Sequence, residues 1–161
     1  MMTQQEALSL FEYRDGDLYW KVQPANCVQA GSKAGVVRKG NGYVQIRYKR
    51  RSLMAHRIVF LMHHGYLPPF IDHINGNPQD NRIVNLREAT SSQNTHNSKL
   101  FGNNTSGVKG VDWQRSVSKW RARVQANGKR VTIGFFETLE EARQAVVAAR
   151  EQYHGDFARH I

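Results

Sequence analysis

Cysteine is nearly absent from this chain: Cys27 is the one thiol in 161 residues. It can close no internal disulfide and cannot furnish a cysteine-rich zinc site. Long apolar runs are missing too. The longest near the middle, Ile58-Val59-Phe60-Leu61-Met62, falls far short of the roughly 18 residues that a membrane span requires. The first residues, Met1 to Glu6, lack the basic flank and apolar segment of a secretory signal. These absences lead us to expect a soluble, intracellular (cytoplasmic) protein. Acids are scarce as well, 13 Asp and Glu against 23 Lys and Arg, which leaves a net charge of +10. Such an excess attracts a polyanion, and nucleic acid is the commonest one in a cell. A membrane partner is not expected, because the cations do not gather on an amphipathic helix with a broad apolar face. A basic surface serving only solubility is the plain alternative, and the uneven placement of the charge speaks against it.

An apolar content of 40% permits a packed core, and the length suits one ordinary domain or two small ones. The polar, Gly/Asn-rich stretch around Phe101 to Gly107 reads as a linker, and no internal repeat appears. The expected organisation is therefore residues 1–100, a linker at 101–106, and residues 107–161. In the first part, Thr3 to Phe11 suits a short helix with Thr3 and Glu6 as a capping box. Asp17 to Val22 and Gly42 to Tyr48 alternate like strands, and Ala55 to His64 suits a buried helix ended by Gly65 and Pro68-Pro69.

The second part has a different pattern. Val108 to Arg115, Lys119 to Ala126 and Arg130 to Phe136 suit three strands, joined at Ser116-Val117-Ser118 and Asn127-Gly128-Lys129. Thr138 and Glu141 then form a capping box for a helix whose apolar stripe runs Leu139, Ala142, Val146, Ala149, Tyr153. On the middle strand Trp120, Ala122, Val124 and Ala126 face one way, while Lys119, Arg121, Arg123 and Gln125 face the other. Gly107 to Phe136 holds seven Lys/Arg against one Asp, whereas Glu137 to Asp156 holds five acids against two Arg. Solubility does not require such a separation of sign. A sheet presenting cations to a duplex does. Trp120 is expected to pack under the helix rather than to stack on a base.

The chemistry lies between Ile71 and Asn94. Asp72-His73, followed by Asn85 and Asn94, combines a base, oxygen ligands for a hard cation and an orienting amide, the equipment for phosphodiester hydrolysis. Neutral histidine is a suitable base near pH 7, and a divalent ion on oxygen ligands relieves charge on the phosphate. Neighbouring residues on a strand point to opposite faces, so Asp72 and His73 flank a phosphate only if the strand twists or bulges, or if Asp72 approaches edge-on. Asn75 to Arg82 is rich in turn residues, Asn85 to Ala89 suits a strand, and Thr90 or Ser91 would cap a helix carrying Asn94. Asn85 is placed to bond the loop or the His73 backbone. Taken singly each of these residues is more often structural; the set at this spacing is not.

Two resemblances follow. Asp72-His-Ile-Asn-Gly76, Asp80-Asn-Arg82, Asn85-Leu-Arg87 and Ser92-Gln-Asn94 closely resemble the HNH endonucleases, with their ββα-metal motif, of the phage and homing type. Phe11-Glu-Tyr13, Gly16-Asp-Leu-Tyr-Trp20 and His56-Arg57 extend this likeness over residues 8 to 98. It implies His73 as general base, Asp72 and Asn94 as ligands of a single metal ion, and Asn85 as the group that orients His73. Asn94 stands where many members have His, and this oxygen-rich set favours Mg²⁺ or Mn²⁺ over zinc. Ser106-Gly-Val-Lys-Gly-Val111, Lys119-Trp-Arg-Ala122, Gly128-Lys-Arg130, Ile133-Gly-Phe-Phe136 and Glu140-Glu-Ala142 resemble the AP2 DNA-binding domain. That likeness implies DNA contacts for Arg115, Lys119, Arg121, Arg123 and Arg130.

The expected fold class is thus α+β, a ββα-metal nuclease module followed by a three-stranded antiparallel sheet with a C-terminal helix. The expected activity is metal-dependent cleavage of double-stranded DNA, inside a host cell if phage-encoded. No small-molecule cofactor is expected, a monomer is favoured, and Arg82 and Arg87 are candidate phosphate contacts. His56, His63, His64 and His96 are expected in core or surface roles, with packing near the site the alternative for His56. Lys49-Arg50-Arg51 suits either a DNA contact or a solvated turn. The rivals are a non-enzymatic DNA-binding regulator and an RNA-directed protein; a sheet suited to a wide major groove fits DNA better.

Overall fold

Thr3 opens the first helix as expected, its hydroxyl accepting from the Glu6 N–H at 3.1 Å. Only that half of the box forms, since the Glu6 carboxylate lies toward Lys49. The computed structural model describes residues 2–91, 93, 104–126 and 129–155, with several small antiparallel sheets and three α-helices. Two units are present, Met1–Ala89 and Thr90–Ile161, and the described parts of each have their own core.

In the first unit α1 (Gln4–Leu10) stops one residue before the expected end, because Phe11 opens β1 (Phe11–Arg14). Phe11 is fully buried, so its pairing and packing override helix continuation. β1 pairs with β2 (Asp17–Trp20) from Phe11↔Trp20 to Arg14↔Asp17. Asp15 and Gly16, both at positive φ (43° and 94°), form the two-residue loop between them. Gly16 also packs so closely on the backbone of Asn81 and Arg82 that a Cβ would sit 2.8 Å from the Arg82 nitrogen. A second sheet has the order β3 (Val36–Val37), β4 (Val44–Tyr48), β5 (Arg51–Met54). β4 is two residues shorter than expected, and β5 takes up Arg51, which leaves Lys49-Arg50 as the hairpin loop, at φ 46° and 61°. Left-handed geometry costs non-glycine residues about 1–2 kcal/mol each.

α2 (Ala55–His64) has the expected bounds and ends at Gly65. Its apolar face joins Ala7, Phe11, Leu18, Trp20 and Ile46 in the core. Arg57 on this helix donates to the carbonyl of Pro68 at 3.2 Å, tying the helix to the segment that enters β6 (Phe70–His73). β6 pairs with β7 (Leu86–Ala89) without a register shift, Asp72 opposite Arg87 and His73 opposite Leu86. Asn85 was expected to begin this strand. It instead closes a 3-10 turn, Ile83–Asn85, bonding back to the Arg82 carbonyl.

In the second unit β8 (Val111–Gln114), β9 (Lys119–Ala126) and β10 (Lys129–Phe136) form an antiparallel sheet in the order β10-β9-β8. β8 is shorter at both ends than expected, and β9 has the expected bounds. The β9–β10 ladder closes at Ala126↔Lys129, and the intervening Asn127 and Gly128 lie outside the described residues. α3 (Leu139–His154) carries the full capping box, Glu141 N–H to Thr138 at 3.2 Å and Thr138 N–H to Glu141 at 3.1 Å. Val111, Ala122, Ala142 and Val146 are its core, with Trp120, Ile133, Phe136 and Leu139 packed around them. Trp120 therefore packs inward as expected. Tyr153 does not continue the stripe: it is half exposed, and Arg150 turns inward to donate to the carbonyl of Lys109. Gly110 makes this packing possible. At φ +78°, it lies so close to β9 that a Cβ would stand 2.4 Å from the Arg123 carbonyl.

Candidate active site

Of the buried polar residues among those described, His56, Asp72, His73, Asn81 and Asn85 all belong to the first unit. Burying such groups costs several kcal/mol unless they are bonded, so their concentration around one ribbon marks a built site. β6 supplies Asp72 and His73. The ladder is regular, so the alternation of faces stands and no bulge brings the two side chains to one side. On one face the Asp72 carboxylate accepts from the Arg87 guanidinium, Nε at 3.0 Å and Nη2 at 2.9 Å. On the other, the His73 ring meets His56 edge-on at 5.2 Å and Tyr43 at 5.8 Å.

His73 Nε2 lies 3.0 Å from Asn81 Oδ1. Since an amide oxygen only accepts, this places the proton on Nε2 and makes Nδ1 the basic nitrogen of the neutral ring. Burial lowers the His73 pKa below its usual value, against the opposing effects of the Asn81 bond and the Asp72 and Asp80 charges. The ring is thus neutral at physiological pH, the form a base requires. His56 is pushed down to about 3, by burial first and then by the neighbouring His73 and Arg57. Its Nδ1 has no hydrogen-bond partner among the described residues.

The loop between β6 and β7 is shaped by its own amides. Asn85 accepts from the Asn75 N–H at 3.0 Å and donates to the Asp80 carbonyl at 2.7 Å. Of the two expected options for Asn85, its side chain takes the loop; its own carbonyl accepts from Ile74. Asn75 in turn accepts from the Asn77 N–H and donates to Asp80. Such short polar side chains close turns that backbone bonds alone would leave open. Asp80 and Arg82 form a two-pronged ion pair, which holds the Asp80 carboxyl down at about 2. The β1–β2 hairpin braces the same loop, with Tyr13 accepting from the Ile83 N–H and Gly16 seated against Arg82.

One member of this arrangement was missed from the sequence. Asn81 is unassigned within the Asp80-Asn-Arg82 match, although a buried amide is what fixes an imidazole. His56, expected in a core or surface role or else packed near the site, is buried and walls the His73 ring. Asn94 and His96 lie outside the described residues, so the expected second metal ligand is not placed. Thr90 and Gln93 exchange capping bonds at 3.2 and 2.8 Å, which starts a helical turn where one was expected.

The expected DNA-contact cations have diverse surroundings. Arg82 and Arg87 are paired as above. In the second unit Asp112 accepts from both Arg121 and Arg123 at 2.7 Å, and Lys119 holds Glu137 at 2.7 Å. Arg115 and Arg130 are exposed, with no ion pair among the described residues. Arg121 Nε has no hydrogen-bond partner among the described residues.

Known proteins match the segment that carries this site. Residues 53–96, which run from the end of β5 through α2 and the β6–loop–β7 unit, match the HNH endonuclease family. Protein 3.8 of Escherichia phage T7 is 39% identical over 90 residues, covering 56% of this chain and 74% of that protein. An uncharacterized HNH endonuclease of Acanthamoeba polyphaga mimivirus is 32% identical over 121 residues, covering 73% of this chain and 62% of that protein. No solved structure matches the chain. The chain carries an HNH endonuclease family domain at residues 53–96. Nuclease action on DNA with a divalent metal ion is the general activity of that class.

Proposed function

We propose that this protein is a metal-dependent DNA endonuclease that hydrolyses phosphodiester bonds of duplex DNA with His73 as general base. The observation that carries the reading is the buried His73 ring, oriented by Asn81 within the segment that matches the HNH family. Asp72 and Asn94 would hold one Mg²⁺ or Mn²⁺. Among the described residues no three His, Cys, Asp or Glu side chains converge, so the donors at hand are a carboxylate and amides, hard oxygens that suit such an ion with water filling its remaining positions. When bound, the ion would relieve charge on the phosphate and on the departing 3′ oxygen.

The protein's own groups divide the remaining work. His73 takes a proton from the attacking water at Nδ1. Asn81 keeps the proton on Nε2 and fixes the ring plane. Asn85 holds the loop that carries Asn81, and Arg87 fixes the rotamer of Asp72. The second unit, which we read as AP2-like, adds affinity for duplex DNA through the sheet face of Arg115, Lys119, Arg121, Arg123 and Arg130. The sheet's charge supports this, seven Lys/Arg against one Asp over Gly107 to Phe136. Two linked modules act on one duplex at raised effective concentration.

Incubating supercoiled plasmid with the protein and Mg²⁺ or Mn²⁺ tests the reading. The parent should cut, and His73→Ala should lose about 10²–10⁴-fold in rate while still binding DNA. Binding without cutting by both proteins, under every divalent ion, would establish a DNA-binding regulator instead.

A further inference from the structure

We infer that the β4–β5 hairpin is a DNA-backbone grip within the nuclease unit, with Arg47, Lys49, Arg50 and Arg51 meeting phosphates of the duplex that is cut. The inference rests on the DNA endonuclease reading and adds to it a binding surface separate from the C-terminal sheet.

Two hairpins of the same unit carry the first observation. Both have two-residue loops, and both loop positions lie at positive φ in each. The β1–β2 loop is Asp15-Gly16, a dipeptide that enters this geometry readily. The β4–β5 loop is Lys49-Arg50, two long cationic side chains in a backbone form that L-residues adopt only at a cost. Turn chemistry therefore does not account for them, whereas charge at the tip does.

The second observation is electrostatic. Arg47, Lys49, Arg50 and Arg51 are all exposed. Among the described residues the acid in reach is Glu6, 3.8 Å from Lys49. Elsewhere in this unit Arg14, Lys33, Arg82 and Arg87 each hold an acid at 2.6–2.9 Å. Four adjacent cations with so little neutralisation make a local field that a phosphate chain relieves through counterion release.

Shape supplies the third. Arg47, Tyr48, Lys49 and Arg50 face Pro24, Ala25 and Val28 across an open cleft of about 400 Å³. The apolar wall excludes water on one side and strengthens the field on the other. A sugar-phosphate strand, apolar on its sugar face and anionic on its phosphate edge, fits both walls. A membrane surface fits less well, because the tip has no apolar side chain to insert.

The double variant Lys49→Asn/Arg50→Gly in the full-length chain tests this. It installs the preferred turn dipeptide and removes both charges, so the melting temperature should hold or rise. Anisotropy of a labelled duplex, without divalent ion and over a salt series, should show the slope of log K against log salt reduced by about 2, or ~0.9 for each phosphate no longer neutralised. Affinity at low salt should fall about tenfold. The charge-conserving Lys49→Arg should keep the parental slope. An unchanged slope in the double variant, with a parent that binds and cuts DNA, would overturn the hairpin grip and leave the endonuclease reading standing. A parent that binds no duplex would overturn both.

Discussion

The two units solve opposite problems. The second buries small apolar side chains, Val111, Ala122, Ala142 and Val146, between sheet and helix, and leaves Arg115 and Arg130 exposed while Arg150 turns in. The first buries an apolar core too, but beside it keeps a layer of imidazoles, amides and a carboxylate away from water. There the polar groups, His56 Nδ1 apart, depend on particular partners, because an unbonded buried group costs more than its bond returns. On the proposed roles, a binding surface is built on generic packing, whereas a reactive centre needs a bonded network.

Gly110→Ala offers the largest test of that contrast on stability. The new methyl would strike the Arg123 carbonyl at a positive-φ position. It should cost the second unit about 2–4 kcal/mol, seen as an early transition in calorimetry while the first unit melts as before. A single shared transition would break the division into separately stabilised units.

Asn85→Ala comes next. It should destabilise the first unit by about 2 kcal/mol, because the Asn75 N–H and the Asp80 carbonyl lose their partner. Asn81→Ala should instead show itself in kinetics, as a kcat about 10–100-fold lower with KM little changed. Equal effects of the two changes on kcat would remove the separate role assigned to Asn81.

Acid should act on the first unit. The folded pKa values of His56 and His73 lie below that of free histidine, so the unfolded chain binds more protons. The stability that follows is complete above pH 6.5 and is lost as pH falls toward about 3, the value for His56. The slope should approach about 1.4 kcal/mol per pH unit from His56, with His73 adding in the same direction, measured as the urea midpoint. His56→Phe should flatten this slope.

Asp112→Asn is the smallest test. The clamp is partly exposed, so stability should fall by less than about 1 kcal/mol, while DNA affinity rises severalfold at low salt as two guanidinium groups are released. Weaker binding would mean that Asp112 serves chiefly to aim Arg121 and Arg123.

Where local chemistry decides, the sequence is legible. The bounds of α2 and β9 and the Thr138–Glu141 box could all be read from spacing, and so could the HNH-like segment around Asp72-His73. Asp15-Gly16 carried a strong turn signal as well, and β1 was missed because Phe11 also continued a helical pattern. What escaped were particular side-chain partners: His56 against His73, Asn81 reaching back eight residues to the ring, Asp112 bridging two arginines of the next strand, and Arg150 replacing Tyr153 in the interior.

The sequence by itself determined which residues this protein has for its chemistry, since an Asp-His pair, the amides that follow it and an excess of cations are matters of composition and spacing. Tertiary structure alone decided which of those groups is held, neutralised or left exposed. A periodic pattern reports which face of a strand a side chain occupies, but only packing against a distant element sets its partner, its burial and therefore its proton.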